Sequence, residues 1–284
     1  MKIIDVYSPF TQTLLESRSI QKAVEATRSL SPFASQAEHW SIDWRELEDT
    51  MLTPSYAAHA QKTAQAYLPA ARALVTRVES ILSPGRELPG ELHLVPSLGA
   101  FDGFARYDQG HHRVLLGVDF PDANLDYLRA LTAHELSHVH RDHQPEVWGH
   151  LGKPLAQISR AEYLEAVTAQ EHLVSEGLAT LFSQLLFPEI DLATHHYYEP
   201  HEYEWCVNNH QQIEGALLAC LHPPGDENVW RFYGEDSAGH GSPSRTQYYW
   251  AAQRIQDWLP DFNLRSLVIS HGWGADRFEC FGRR

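Results

Sequence analysis

Apolar positions recur at helical spacing over residues 125–143, where Leu125, Leu128, Leu131 and Leu136 alternate with polar residues. No Pro or Gly occurs between Ala123 and Gln144. This predicts a buried helix, started by Asp122 or Asn124 just after Pro121. Upstream, residues 11–30 read as a helix with Leu14, Leu15, Ile20, Ala23 and Val24 roughly on one side. Residues 31–54 read as a connector holding a short helix near Trp44–Met51, and residues 55–83 as a long helix bent at Pro69. Pro84-Gly85 and Pro89-Gly90 then break the pattern. Glu91–Pro96, Phe101–Tyr107 and Arg113–Val118 are strand-like, with a hairpin turn at 108–112. Downstream, helices are expected at 159–187 (ended by Pro188), 203–221, 244–259 and 264–270, with a loop at 223–243. There is no internal repeat and no low-complexity tract. The pattern predicts an α+β, mostly helical protein. A helical N-terminal region (1–88) precedes a domain (89–284) in which a small sheet packs on helix 125–143 and a helical lobe follows.

Composition narrows the partners. Of 284 residues, 43% are hydrophobic and 11% aromatic, enough for a sizeable core. The formal charge, 22 − 37 = −15, argues against a nucleic-acid backbone or an anionic membrane as partner. The first residues lack the apolar run of a signal peptide, and no stretch approaches the roughly 18 apolar residues of a membrane span. Cys206, Cys220 and Cys280 are widely spaced and form neither a C-x-x-C pair nor a disulfide framework. A reduced, cytoplasmic compartment is the expectation.

Chemistry enters through His134-Glu135-Leu136-Ser137-His138, an H-E-x-x-H string inside the 125–143 helix. Residues four apart share a helix face, so two imidazoles converge as two ligands of a tetrahedral Zn²⁺ do. Glu135, one residue round, can reach a metal-bound water and serve as general base. A catalytic zinc usually has three protein ligands. A third His in H-x-x-G-x-x-H spacing is absent, because 141 is Arg and 144 is Gln. His140 and His143 lie off the ligand face and suit the negative end of the helix dipole. The alternative is a Glu on a second helix, that at 159–187. Glu176 lies among Leu173, Val174, Leu178 and Leu181, where a carboxylate is costly unless paired or metal-bound. Gly177 and Ala179 allow close helix approach. Glu171 and His172 are rivals, and His172, four before Glu176, can orient a ligand or contact substrate.

Taken together, four features resemble the gluzincin class of metallopeptidases, and more narrowly the bacterial family of YjaZ-like predicted zinc-dependent proteases. They are Gly99-Ala-Phe-Asp-Gly-Phe-Ala before the strand Val114–Val118, His134–His138, Glu176-Gly-Leu-Ala, and Tyr248-Tyr249-Trp250-Ala251. The resemblance covers roughly residues 90–260; the last block has Ala251 where the family has Gly. It implies a zincin-like architecture and zinc on His134, His138 and Glu176. It also implies an edge strand, Phe101–Tyr107, that pairs with extended substrate and brings Phe101, Gly103 and Phe104 to it. Tyr248 is the implied oxyanion stabiliser, with Tyr249 and His240 as rivals. The expected function is peptide or protein hydrolysis. The alternatives are hydrolysis of a non-peptide amide or ester, and a zinc-binding scaffold without turnover.

Overall fold

The computed structural model describes residues 1–37, 44–108, 111–120, 124–159, 161, 162, 165, 167–219, 221, 231–259 and 261–281. Asp122, and the middle of the turn expected at 108–112, lie outside these residues. The architecture is α+β and mostly helical, with a four-stranded sheet in the order β1-β2-β4-β3. Among the described residues, no helix is long and apolar enough to cross a membrane.

The chain separates into two compact units: Met1–Arg106 with His112–Glu135, and Tyr107–His111 with Leu136–Arg284. The N-terminal segment supplies β1 (Lys2–Asp5), which runs parallel to β2 (Glu91–Val95), pairing Lys2 with Glu91 and Asp5 with Leu94. Backbone pairing over that separation makes the first helices part of the sheet's own unit.

In the first unit, the helix expected at 11–30 is two: α1 (Tyr7–Ser17) and α2 (Ile20–Ala26). They divide at Arg18, whose φ of 51° ends α1 in the left-handed region. Then follow α3 (Phe33–Ala37), α4 (Trp44–Met51) and α5 (Pro54–Leu82), which carries Pro69 inside it. The inner faces of α1 to α4 meet Val95, Leu98 and Leu115 in one apolar cluster. Strand β2 also runs parallel to β4 (His111–Gly117), with Glu91 opposite Arg113 and Val95 opposite Gly117. β3 (Gly103–Asp108) is β4's other neighbour and lies at the sheet edge, as expected for Phe101–Tyr107.

The metal-motif helix is α6 (Leu125–Asp142). Asn124 caps it, its Oδ1 accepting from the Tyr127 amide at 3.0 Å. Leu128, Ala130, Leu131, Ala133, Leu136 and Val139 are all buried, as are the polar His134, Glu135, Ser137 and Arg141, so the helix is buried on nearly all sides. Two contacts fix its first half. The Tyr67 hydroxyl on α5 meets Thr132 Oγ1 at 2.5 Å. A Cβ on Gly103 would sit 3.1 Å from Leu131 Cδ2 and 3.3 Å from Leu116 Cδ1, so any larger residue would make these leucines yield by a few tenths of an ångström.

In the second unit, the long helix is α7, Ala169–Leu186; earlier in the expected 159–187 span, residues 161, 162 and 165 are also helical, and 160, 163, 164 and 166 lie outside the described residues. Thr168, in extended conformation, caps it by accepting from the Glu171 amide at 3.0 Å, so the helix starts there. Then come α8 (Leu192–His195), α9 (Pro200–Asn208) and α10 (His210–Leu218). The single helix expected at 203–221 is interrupted at Asn209. The unit closes with α11 (Thr246–Trp258) and α12 (Leu264–Ser270).

α7 and α11 pack tightly at Gly177. A Cβ there would lie 2.8 Å from the Ala251 carbonyl carbon and 2.8 Å from Ile255 Cδ1. The small residues after Glu176 therefore admit α11. Replacing Gly177 with Ala is expected to lower unfolding free energy by about 1–3 kcal/mol, because a backbone atom must yield. That outweighs the roughly 1 kcal/mol gain in helix propensity. The check is the urea midpoint; a midpoint at or above the parent's contradicts the close-contact account.

Candidate metal centre

One ligand atom each from His134, His138 and Glu176 lies within 4.8 Å of the others, a group able to hold a metal ion. Among the described residues it is the one such group of three. Helix α6 is continuous through Glu135–Leu136, where the two units divide, so helix geometry alone sets the spacing of His134 and His138. His134 and Glu176 are buried and His138 is half-buried, which keeps the group within reach of solvent.

His138 and Glu176 are oriented by their neighbours. His138 Nε2 lies 3.4 Å from Glu176 Oε2. Its other ring nitrogen, Nδ1, is 2.8 Å from Ser175 Oγ. Ser175 thus occupies one ring nitrogen, and the other, Nε2, is the one that faces the carboxylate. His172, one turn before Glu176, places Nδ1 at 3.6 Å from Glu176 Oε1. Burial lowers the His172 pKa, opposed by the charge of Glu176, so the ring favours its neutral form. Glu135 is buried, one position round from His134.

Beyond His172 runs a chain of phenols. The Tyr233 hydroxyl is 3.1 Å from His172 Nε2 and 3.3 Å from the Tyr248 hydroxyl. Burial, reinforced by the Glu176 charge, raises the Tyr248 pKa well above its ordinary value. Tyr248 is therefore a neutral phenol with a proton to donate. Its helix starts from Arg245, which has a φ of 61°. Two bonds hold that strained residue: the Arg245 amide donates to the Phe232 carbonyl at 2.7 Å, and the Tyr198 hydroxyl donates to the Arg245 carbonyl at 2.6 Å. Neither Tyr233 nor Ser175 is singled out by sequence. Tyr233 falls in a Gly- and Pro-rich stretch that reads as loop, whereas Ser175 directly precedes the ligand carboxylate.

Other expected residues stand elsewhere. Glu171, a rival third ligand, turns to Arg141, whose Nη2 donates to its carboxylate at 2.6 Å. Tyr249 sits in an aromatic cluster, with ring centroids 5.7 Å from Tyr203 and 5.8 Å from His196. The His240 side chain is fully exposed, 3.7 Å from Asp236. Phe101 and Phe104 meet edge to face at 5.4 Å and pack on the apolar cluster of the first unit. Between them, the Asp102 carboxylate accepts from the Tyr127 hydroxyl at 2.7 Å and from the Gly103 amide at 2.8 Å. The aromatic-glycine run thus anchors the start of the edge strand to the first turn of α6.

His140 departs from the expected dipole role. It is buried, with its ring centroid 5.9 Å from that of His271. Burial, followed by repulsion from His143, pushes its pKa down to about 4, so at neutral pH it carries no charge. His143 does lie exposed at the helix end, with Nδ1 2.8 Å from the Val139 carbonyl. Comparisons with protein-family models, with curated proteins and with solved structures give no match.

Proposed function

We propose that this chain is a zinc-dependent metallopeptidase of zincin-like, gluzincin type, related to the YjaZ-like proteases. One observation carries the reading: two imidazoles and a carboxylate converge within 4.8 Å, with the glutamate of H-E-x-x-H beside them. Two nitrogen donors and one oxygen donor suit zinc and leave a coordination position open, as a catalytic site requires. When bound, zinc lowers the pKa of a coordinated water and polarises a substrate carbonyl.

The protein's own groups do the rest. Glu135 accepts the proton of the attacking water and returns it to the leaving amine. Tyr248, kept neutral by burial and by Glu176, donates to the oxyanion that develops on the carbonyl. Tyr233 and His172 hold that phenol in place. The edge strand β3 offers backbone donors and acceptors to an extended peptide. A peptide or protein is accordingly the substrate, with neither nucleic acid nor membrane as partner.

Metal-free protein titrated with zinc, then assayed on casein, short peptides and simple amides and esters, tests this directly. Peptide hydrolysis is expected to appear with about one equivalent of zinc and to vanish with a chelator. Turnover of esters or amides alone moves the substrate to a non-peptide class. Zinc uptake without turnover on any of them makes the protein a binding scaffold. Less than about 0.2 equivalents of zinc removes the site altogether.

A further inference from the structure

A second set of polar contacts joins the two ligand helices. Arg141 lies three residues after His138 on α6, and Glu171 lies five before Glu176 on α7. The Arg141 guanidinium is 1% exposed. It donates Nε and Nη2 to Glu171 Oε1 at 3.0 and 2.6 Å, and Nη1 to the His271 and Trp273 carbonyls at 3.1 and 2.8 Å. One side chain therefore ties both ligand helices to the segment following α12. Gln170, beside Glu171, adds a bond from Nε2 to the Ala275 carbonyl at 2.9 Å.

Such a pair is a poor source of stability. Removing two charges from water costs about as much as their attraction returns, and apolar residues of similar volume often replace buried pairs at no loss. A fork of fixed geometry with four directed bonds does supply position. Metal sites need position, since their ligands must be held within about 0.5 Å of the productive arrangement. The pair is close enough along each helix to supply it. At 1.5 Å rise per residue, Arg141 is about 4.5 Å from His138 along its axis and Glu171 about 7.5 Å from Glu176.

Resting on the metal reading above, we propose that Arg141 and Glu171 are positioning residues that set the spacing of the two ligand helices. The C-terminal segment from His271 to Ala275 belongs to that frame, although it provides no ligand. Neither residue touches the reacting atoms; both act through His138 and Glu176.

The full chain carrying R141M and E171M together, and separately R141K, tests this. Three quantities are read: zinc affinity in a metal buffer, the visible absorption of the cobalt(II) form, and the thermal midpoint of the metal-free protein. The double variant is expected to keep its metal-free midpoint to within about 5 °C. It is expected to bind zinc about 10–100-fold more weakly, with altered cobalt bands. R141K, which keeps the charge but loses the fork, is expected to fall between. A folded double variant with the parent's zinc affinity and cobalt spectrum overturns the proposal. So does a loss of affinity that merely tracks a lowered metal-free midpoint. Where the double variant does not fold, R141K decides: weakened zinc binding supports the proposal and parental binding overturns it. A parent that takes up no zinc fails differently, overturning the metal reading and this inference with it.

Discussion

Glu135→Gln is expected to lower peptide hydrolysis by about 10²–10⁴-fold, the usual range for a lost general acid–base group. The protein should still take up its full complement of zinc. The amide has nearly the shape of the carboxylate, so the buried position beside His134 is refilled without a cavity. What disappears is the ability to accept a proton. None of the three grouped ligand atoms comes from Glu135, so metal affinity should move little. Two measurements separate the outcomes, zinc stoichiometry and the rate on any peptide that the parent cleaves. Parental turnover in a zinc-replete variant ends the general-base assignment. Loss of zinc would instead make Glu135 a ligand or a structural support.

Substitution of the ligands should separate metal binding from folding. His134→Ala leaves one imidazole and one carboxylate, too few for tight zinc binding, and activity should vanish. Glu176→Gln is the sharper case. Its carboxylate is buried, 3.4 Å from one histidine nitrogen and 3.6 Å from another. Holding a charge there costs free energy that a metal ion offsets. In metal-free protein, Glu176→Gln should therefore leave stability unchanged or raise it. In excess zinc the parent should be stabilised by about 2.7 kcal/mol at a hundred times Kd, and the variant by far less. Thermal melts with and without zinc give both numbers. A structural role for Glu176 predicts the opposite, a metal-free protein destabilised by the change and a zinc response left intact.

Much of the scaffold around the site is readable locally. Helix α6 follows from leucine spacing and the absence of Pro and Gly, with Asn124 as its cap. The strands follow from β-prone runs between Pro-Gly breaks, and β3 does lie at the edge. Local reading fails where a distant partner decides. Lys2–Asp5 becomes a strand because Glu91–Leu94 is there to pair with it. Arg18 and Asn209 break expected helices through backbone turns that apolar periodicity does not register. Gly177 marked a close helix approach, but only the fold identifies α11 as the helix that approaches.

The same division runs through the site. His134, Glu135 and His138 are set by sequence, because four residues on an α-helix bring two side chains to one face wherever the helix lies. The third ligand was open between Glu171, His172 and Glu176, which crowd one stretch of helix. Tertiary structure separates them: Arg141 claims Glu171, Tyr233 and Glu176 share His172, and among the described residues it is Glu176 that groups with the two histidines, as a set able to hold a metal ion. Likewise it drew Tyr248 to Glu176 and left His240 in solvent, although both lie in the same late part of the chain. Spacing within one helix is dictated by the 3.6-residue turn. The meeting of two helices depends on the side chains packed between them, many of which are far apart in sequence.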